Sequence, residues 1–259
     1  MVGDLARQVI LNTRPVHQQA ALKQLLEADG ATVLSFPAIE IVAAAATATA
    51  FHRSLVRKIA GYDILLFVSR NAVDGAFQHF AATDLPESMQ LGVIGSATQQ
   101  ALHRVIGDRG ISLVAHEPYN SEALLDAAGL QQVEGKRVLI FRGQSGRNLL
   151  GYELEKRCAE VEYCEVYRRA LPQVDKNEFA RLATPFPTLA VMTSNEGMHN
   201  LMQLVDDDSA ARLCQIPWLL ISERMRESAR NLGHNGGVII AENASDKGIF
   251  QSIRTWANP

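Results

Sequence analysis

One strand–loop–helix–strand unit occurs twice in this chain, and the repeat limits the fold more than any other feature of the sequence. The second copy opens with the apolar run 138–141, which is typical of a buried parallel strand. A glycine-rich loop, 142–146, follows, and then a helical pattern and a second extended run at 161–167. A shift of 128 residues, with no gap, brings Arg14 onto Arg142 and reveals the first copy.

Two further pieces repeat in the same order at similar shifts. Residues 67–71 resemble 191–195, with Asn71 matching Asn195, and 93–96 resemble 220–223. The alternative is that any two units of this kind look alike, but the matching Arg and Asn residues favour a duplicated half. Apolar runs alternate with helical patterns elsewhere too, including a helix predicted at 51–60. The sequence therefore predicts an α/β class with mostly parallel sheets.

Composition and charge exclude several classes of function. Hydrophobic residues make up 47% of the chain, as in a globular protein. The net charge of −3 argues against a protein that binds nucleic acid through phosphate contacts. No apolar run approaches the ~18 residues of a membrane span, and the N-terminal run is too short for a signal peptide, so we expect a cytoplasmic protein. The three cysteines form no CxxC pair and the histidines show no metal-binding spacing. We therefore expect no metal site.

Small hydroxyl and amide side chains, glycines and arginines follow the predicted strands. The helices that begin at these positions offer free backbone N–H groups and a positive dipole end, so the positions together suit a ligand with many carboxylates or phosphates. Any one of these loops alone is explained by an ordinary helix cap. Ser69, Ser194 and Ser222 are each predicted to cap a helix, and the loop that contains Ser121 is predicted to cap a helix that begins at 122. The candidate binding residues are Thr13, Arg14, Ser69, Asn71, Gly95, Ser96, Ser121, Arg142, Gly143, Arg147, Ser194, Asn195 and Ser222, with Thr98 in the first turn of its helix.

Several motifs of other enzymes are missing. The sequence has no GxGxxG after its first strand, no P-loop and no GxSxG elbow, which disfavours a nucleotide-binding α/β enzyme or a serine hydrolase. Carboxylates are nearly absent from the predicted loops, so proton transfer would fall to a hydroxyl, a phenol or water. A non-catalytic two-domain protein that binds an anionic metabolite remains an alternative.

Six stretches of the sequence, taken in order, carry a family resemblance. They are NTRP at 12–15, DILLFVSRNAV at 63–73, VIGSAT at 93–98, YNSEALL at 119–125, GKRVLIFRG at 135–143 and VY at 166–167. With these motifs the chain resembles the uroporphyrinogen-III synthase family, of the bacterial type, over essentially its whole length. It departs from the family at Ser222, where Gly followed by Thr is common; Met225 stands at the position of that Thr.

The resemblance implies a particular division of the chain. The family has two similar doubly wound, mostly parallel-sheet domains joined by a two-stranded connector, with a cleft between them. Carried over, domain one comprises 1–36 and 171–259, and domain two comprises 38–169. The connectors are then about 36–40 and 165–170.

The resemblance also implies the reaction. Hydroxymethylbilane, a linear tetrapyrrole with many carboxylates, would lose water and close to uroporphyrinogen III with its last ring inverted, without cofactor or metal. We expect the protein itself to be a monomer. Tyr167 is the implied catalytic residue, with Thr98 or water as the other candidate proton source. Arg14, Arg142 and Arg147 would hold substrate carboxylates.

Overall fold

A computed structural model describes residues 4–44, 58–175 and 177–258 of the chain. These residues form two compact units: unit 1 contains the described residues up to 40 and from 170 onward, and unit 2 contains those from 41 to 169. The predicted helix at 51–60 lies mostly outside the described residues, and its described end, Ile59–Gly61, is a 3-10 helix.

Strands and helices mostly alternate along the described chain. The strands are β1 Val9–Asn12, β2 Thr32–Ser35, β3 Glu40–Ala43, β4 Ile64–Phe67, β5 Gln90–Val93, β6 Leu113–Val114, β7 Arg137–Gly143, β8 Glu160–Ala170, β9 Leu189–Met192, β10 Trp218–Leu220 and β11 Val238–Ile240. The α-helices are α1 Ala20–Ala28, α2 Arg70–Ala76, α3 Ser96–Ile106, α4 Ser121–Leu125, α5 Leu149–Lys156, α6 Glu178–Leu182, α7 Asn195–Leu204, α8 Asp207–Leu213, α9 Met225–Asn231 and α10 Asp246–Ala257. None of these helices is long and apolar enough to cross a membrane.

Unit 1 is built on a five-stranded sheet in the order β11-β10-β9-β1-β2, and all the described pairings in it are parallel. The inner strands β9 and β10 are apolar throughout because both faces are covered. In β9, Leu189 and Val191 pack into the core on one face, and Ala190 and Met192 pack into the core on the other.

Unit 2 is built on a six-stranded sheet in the order β3-β8-β7-β4-β5-β6, and its inner strands β4 and β7 are also covered on both faces. The side chains of β7 alternate between two cores, with Leu139 and Phe141 on one face and Val138 and Ile140 on the other. Phe141 also stacks on Phe67 of β4, with ring centroids 5.0 Å apart. The prediction of an α/β fold with mostly parallel sheets is confirmed.

The register of unit 2 fixes which residues meet at the carboxyl edge of its sheet. Phe67 pairs with both Phe141 and Val93, so Ser69 and Gly95, two residues further on, leave β4 and β5 at the same level. The chain of β7 reaches this level at Gly143, which pairs with Tyr167 of β8. Ligands of open α/β sheets bind at this edge, so we expect a ligand site there.

Candidate active site

Tyr167 lies at the carboxyl edge of the sheet of unit 2, near the end of β8. Its register partner is Gly143, and the pairing shifts by one residue just before them, between Arg142 and Gly143. The tyrosine is only 6% exposed, and its hydroxyl oxygen lies 3.0 Å from the hydroxyl oxygen of Ser69. The fold therefore brings Tyr167, Ser69 and Gly143 together, three residues that the sequence had nominated separately.

The ring of Tyr167 lies directly against the backbone of Gly143. A Cβ atom on Gly143 would come within 2.6 Å of the ring carbon Cζ and 2.9 Å of the hydroxyl oxygen. The main chain fixes the same neighbourhood, because Gln144 donates its backbone N–H to the carbonyl of Tyr167 over 2.8 Å. Gly143 is thus required here for close packing.

Ser69 is the N-cap of α2. Its backbone is extended and its hydroxyl accepts a hydrogen bond from the N–H of Ala72 at 3.1 Å. Ser194 caps α7 of unit 1 in the same way, by accepting from the N–H of Gly197 at 3.0 Å. The two caps correspond at a shift of 125 residues, one more than the shift that aligns Asn71 with Asn195. The predicted caps at both positions are confirmed.

The loop after β5 brings Gly95, Ser96 and Thr98 to the same edge. Gly95 has φ +82°, a left-handed conformation that glycine adopts without strain, and α3 begins at the next residue. Ser96 is exposed, whereas Thr98 is 4% exposed. The site reasoning did not single out Tyr119, which is 52% exposed and has its Cβ 3.9 Å from where a Cβ of Gly95 would lie.

One predicted cap in unit 2 is shifted. The sequence suggested that α4 begins at 122 after Ser121, but α4 begins at Ser121 itself. Asn120 is the cap, and its side-chain oxygen accepts from the N–H of Ala123 at 2.8 Å. Both residue types cap helices well, so their order alone could not decide between them.

Arg142 is held by groups of the protein itself. Its guanidinium pairs with Glu165 at 3.0 Å, donates to the side-chain oxygen of Asn148 at 2.7 Å and to the carbonyl of Gly146 at 3.2 Å, and lies 4.1 Å above the ring of Tyr163. The side chain is 12% exposed. Burial raises the pKa of the stacked Tyr163. Arg142 thus fastens the loop 143–148 to β8.

Arg147 lies on the loop that Arg142 holds, but its surroundings are different. It is 69% exposed, and its ion pair with Glu122 is long, at 3.7 Å. An exposed pair of this kind contributes little to stability and is readily exchanged for another anion. Of the arginines nominated in unit 2, Arg147 is the one whose charge is accessible to a ligand.

Cys164 lies three residues before Tyr167 on β8 and is fully buried. Burial raises the pKa of its thiol to about 12, so the group stays protonated at neutral pH and is a poor nucleophile. Within residues 4–44, 58–175 and 177–258, no three His, Cys, Asp or Glu side chains are grouped so as to hold a metal ion.

In unit 1, Thr13 and Arg14 also have partners. The hydroxyl of Thr13 donates to the carbonyl of Val191 over 2.7 Å, and the residue is 3% exposed. Arg14 forms an ion pair with Asp246 in the first turn of α10, and its side chain is 12% exposed. Sequence reasoning missed Asp246, which lies 232 residues away along the chain.

The predicted cap at Ser222 is wrong. The helix α9 begins at Met225, no side-chain cap bond is present, and the backbone of Arg224 before it is already helical. Only the carbonyl of Ser222 takes part, by accepting from the N–H of Met225 at 3.1 Å. Ser194 and Asn195 remain the nominated residues at the start of α7, and Asn195 is exposed.

Comparison with known proteins assigns the chain to a family. The family model "Uroporphyrinogen-III synthase HemD" matches residues 20–251. The uroporphyrinogen-III synthase of Salmonella typhimurium is 35% identical over 258 residues, which cover 95% of this chain and 99% of that protein. The Escherichia coli enzyme of the same name is 34% identical over 196 residues, 74% of this chain and 78% of that protein.

Two solved structures share the fold. A mutant uroporphyrinogen III synthase from Thermus thermophilus aligns with a TM-score of 0.59 at 18% identity and covers 96% of this chain and 98% of its own. The uroporphyrinogen-III synthetase of Helicobacter pylori aligns with a TM-score of 0.61 at 11% identity, over 96% and 99%. Together with the sequence matches, which span nearly the whole chain, these likenesses establish that this protein belongs to the uroporphyrinogen-III synthase family.

Proposed function

We propose that this protein is a lyase that converts hydroxymethylbilane to uroporphyrinogen III in tetrapyrrole (haem) biosynthesis. The observation that carries this proposal is the 35% identity to a uroporphyrinogen-III synthase over 95% of the chain. The same full-length match disfavours the alternative, a non-catalytic protein that binds an anionic metabolite.

The chemistry sets the task of the protein. Unassisted, hydroxymethylbilane closes without inversion of its last ring, so the protein must hold the two ends such that the substituted carbon of that ring attacks. The conversion loses water and forms a carbon–carbon bond without a change of oxidation state. It therefore requires no redox cofactor, and the work falls to positioning and proton transfer.

Tyr167 is the proposed proton donor. Its hydroxyl gives a proton to the departing hydroxyl group as the carbon–oxygen bond breaks, the bonding electrons leave with the oxygen, and water is released. The pyrrole nitrogen stabilises the cation that remains. The phenolate is reprotonated by the proton that the macrocycle releases when its rings regain aromaticity. Thr98, a buried hydroxyl in the first turn of α3, is the second candidate donor.

The substrate carboxylates are proposed to bind at the carboxyl edges of both sheets. In unit 2 the proposed contacts are at Asn71, Gly95, Ser96, Ser121 and Arg147, and in unit 1 at Thr13, Arg14, Ser194, Asn195 and Ser222. Ser69 and Gly143 would contribute through their main chains, because the hydroxyl of Ser69 and the α-carbon of Gly143 lie against Tyr167. The hydroxyl of Thr13 already donates to the carbonyl of Val191, so Thr13 would bind the substrate through its main chain. Arg142 would act mainly through the loop 143–148 that it holds.

We further propose that the protein acts as a monomer in the cytoplasm and binds no nucleic acid. The net charge of −3 supports the last point, because phosphate contacts need a basic surface. Size-exclusion chromatography with light scattering measures the mass in solution, and a mass twice that of the 28.4 kDa chain would overturn the monomer proposal.

The function is tested by incubating the purified protein with hydroxymethylbilane, oxidising the products to porphyrins and separating the type I and type III isomers by chromatography. We expect type III to form at a rate proportional to the protein concentration. A protein that binds hydroxymethylbilane but yields only type I, at the spontaneous rate, would be the non-catalytic binder instead.

A further inference from the structure

We infer that Ser69 and Gly143 are positioning residues that fix the hydroxyl of Tyr167 for proton donation. The inference rests on the proposed function and deepens it. It follows from three contacts inside unit 2: the hydrogen bond between Ser69 and Tyr167, the packing of the Tyr167 ring on Gly143, and the close approach of α2 to β8.

The first contact is a hydrogen bond between two hydroxyl groups, and its direction matters for proton donation. A serine hydroxyl has one proton to donate and two lone pairs that accept. The N–H of Ala72 donates to Ser69 at 3.1 Å and occupies one lone pair, which polarises the hydroxyl and makes its proton a better donor. Either hydroxyl can donate in this bond, whose oxygens lie 3.0 Å apart. In the arrangement that we infer, Ser69 donates to Tyr167, which leaves the proton of Tyr167 for the substrate.

The second contact determines where the ring lies. A Cβ on Gly143 would overlap the ring, at 2.6 Å from Cζ and 2.7 Å from Cε2 of Tyr167. The two residues are opposite each other only because the pairing of β7 with β8 shifts by one residue after Arg142. Glycine at 143 therefore leaves the space that the ring needs to reach Ser69.

The third contact fixes the distance between α2 and β8. A Cβ on Gly75 of α2 would lie 2.9 Å from a methyl carbon of Val166, so the helix and the strand pack at the closest approach that glycine allows. Val166 immediately precedes Tyr167, and Ser69 caps the same helix. The cap hydroxyl and the phenol are thus tied to two elements that are packed tightly together.

A double-mutant cycle tests the role of Ser69. Ser69→Ala should lower kcat by about fivefold, the loss of one positioning hydrogen bond, with little change in KM. In a Tyr167→Phe background the same substitution should lower kcat by less than about twofold, because the group that it positions is absent. Ser69→Thr keeps both the cap and the hydroxyl and should restore most of the activity.

The cycle needs a control for the loss of a helix cap alone. Asp206 caps α8 in unit 1 by accepting from the N–H of Ser209 at 2.9 Å, and it has no part in the proposed site. Asp206→Ala should lower stability as Ser69→Ala does, with kcat unchanged. If Ser69→Ala lowers kcat equally with and without the phenol of Tyr167, or raises KM instead, the positioning role is refuted and Ser69 contacts the substrate directly.

Gly143→Ala tests the packing and provides a measurement that does not depend on activity. We expect its crystal structure to show the Tyr167 ring displaced and its hydroxyl beyond hydrogen-bond distance from Ser69, and its kcat to fall about as far as in Tyr167→Phe. Gly110 is the matched control, because a Cβ there meets nothing within 4 Å and Gly110→Ala should change neither.

The two proposals can fail separately. If the wild-type protein does not form type III, the proposed function fails, while the crystal structure of Gly143→Ala still decides whether glycine positions the ring. A Tyr167 ring that keeps its place and its bond to Ser69 in Gly143→Ala would overturn the inference, even in an active enzyme.

Discussion

Replacing Arg142 by glutamine separates two ways in which this residue could serve the site. The arginine lies at the junction of β7, β8 and the loop 143–148. If it holds that loop, as its contacts indicate, the substitution destabilises unit 2. If instead it binds a substrate carboxylate, the substitution weakens binding and leaves the stability of unit 2 unchanged.

The contacts give the size of the effect. The ion pair with Glu165, whose two side chains are 12% and 36% exposed, is worth about 1 kcal/mol after allowance for solvent screening. The bonds to Asn148 and Gly146 each contribute about 1 kcal/mol, and the stacking on Tyr163 about 0.5–1 kcal/mol. Since glutamine keeps one of these bonds, we expect the free energy of unfolding of unit 2 to fall by about 2–3 kcal/mol.

Amide hydrogen exchange followed by mass spectrometry measures this loss in each unit separately. Peptides that contain β4 and β7 should exchange faster in Arg142→Gln. The two tryptophans, Trp218 and Trp256, both belong to unit 1. The urea midpoint measured by their fluorescence should therefore be the same in Arg142→Gln as in the wild type, and it serves as an internal control.

Arg147→Gln, on the loop that Arg142 holds, is the matched control. Because Arg147 is 69% exposed, its loss should change stability by less than about 0.5 kcal/mol. It should raise KM, and this increase should shrink at high salt, as expected for an exposed charge. The reasoning is refuted if Arg142→Gln leaves hydrogen exchange unchanged and raises KM in the same salt-dependent way.

Two further predictions concern unit 1. Thr13→Val should lower the free energy of unfolding by about 1–2 kcal/mol, because the buried carbonyl of Val191 loses a donor. Thr13→Ser keeps the hydrogen bond and serves as the control. A Thr13→Val protein with a changed KM and an unchanged urea midpoint would contradict the prediction. Burial lowers the pKa of His234 in the folded protein below its ordinary 6.5. As the pH falls below 6.5, the unfolded chain therefore binds a proton at His234 before the folded chain does. Unit 1 should lose stability until the pH has fallen through the lowered pKa of the folded state. The fluorescence of Trp218, whose ring lies 4.2 Å from His234, can follow this loss in urea, and an equal loss in His234→Phe would exclude His234 as its cause.

The sequence was sufficient for the fold class because the physical signal is local. Strands that are buried on both faces must be apolar at every position, and the runs 138–141 and 189–192 are. The caps at Ser69 and Ser194 were predictable for the same reason, since a cap depends on a few neighbouring residues.

Contacts between distant parts of the chain could not be predicted in this way. Nothing near Arg14 indicates that Asp246, 232 residues away, neutralises it. The hydrogen bond between Ser69 and Tyr167 depends on a shift in the pairing of β7 with β8, which no periodicity encodes. Ser222 fails as a cap because the backbone at Arg224 is already helical, a property of the fold and not of the residue type.

The rate of Tyr167→Phe tests most directly the claim that the reaction occurs at the carboxyl edge of unit 2. The substitution keeps the ring against Gly143 and removes only the hydroxyl that lies 3.0 Å from Ser69. In single-turnover experiments with hydroxymethylbilane we expect type III still to form, because positioning survives, but about 10- to 100-fold more slowly. Formation of type III at the wild-type rate, with an unchanged melting temperature, would contradict the account and leave Tyr167 as a packing residue.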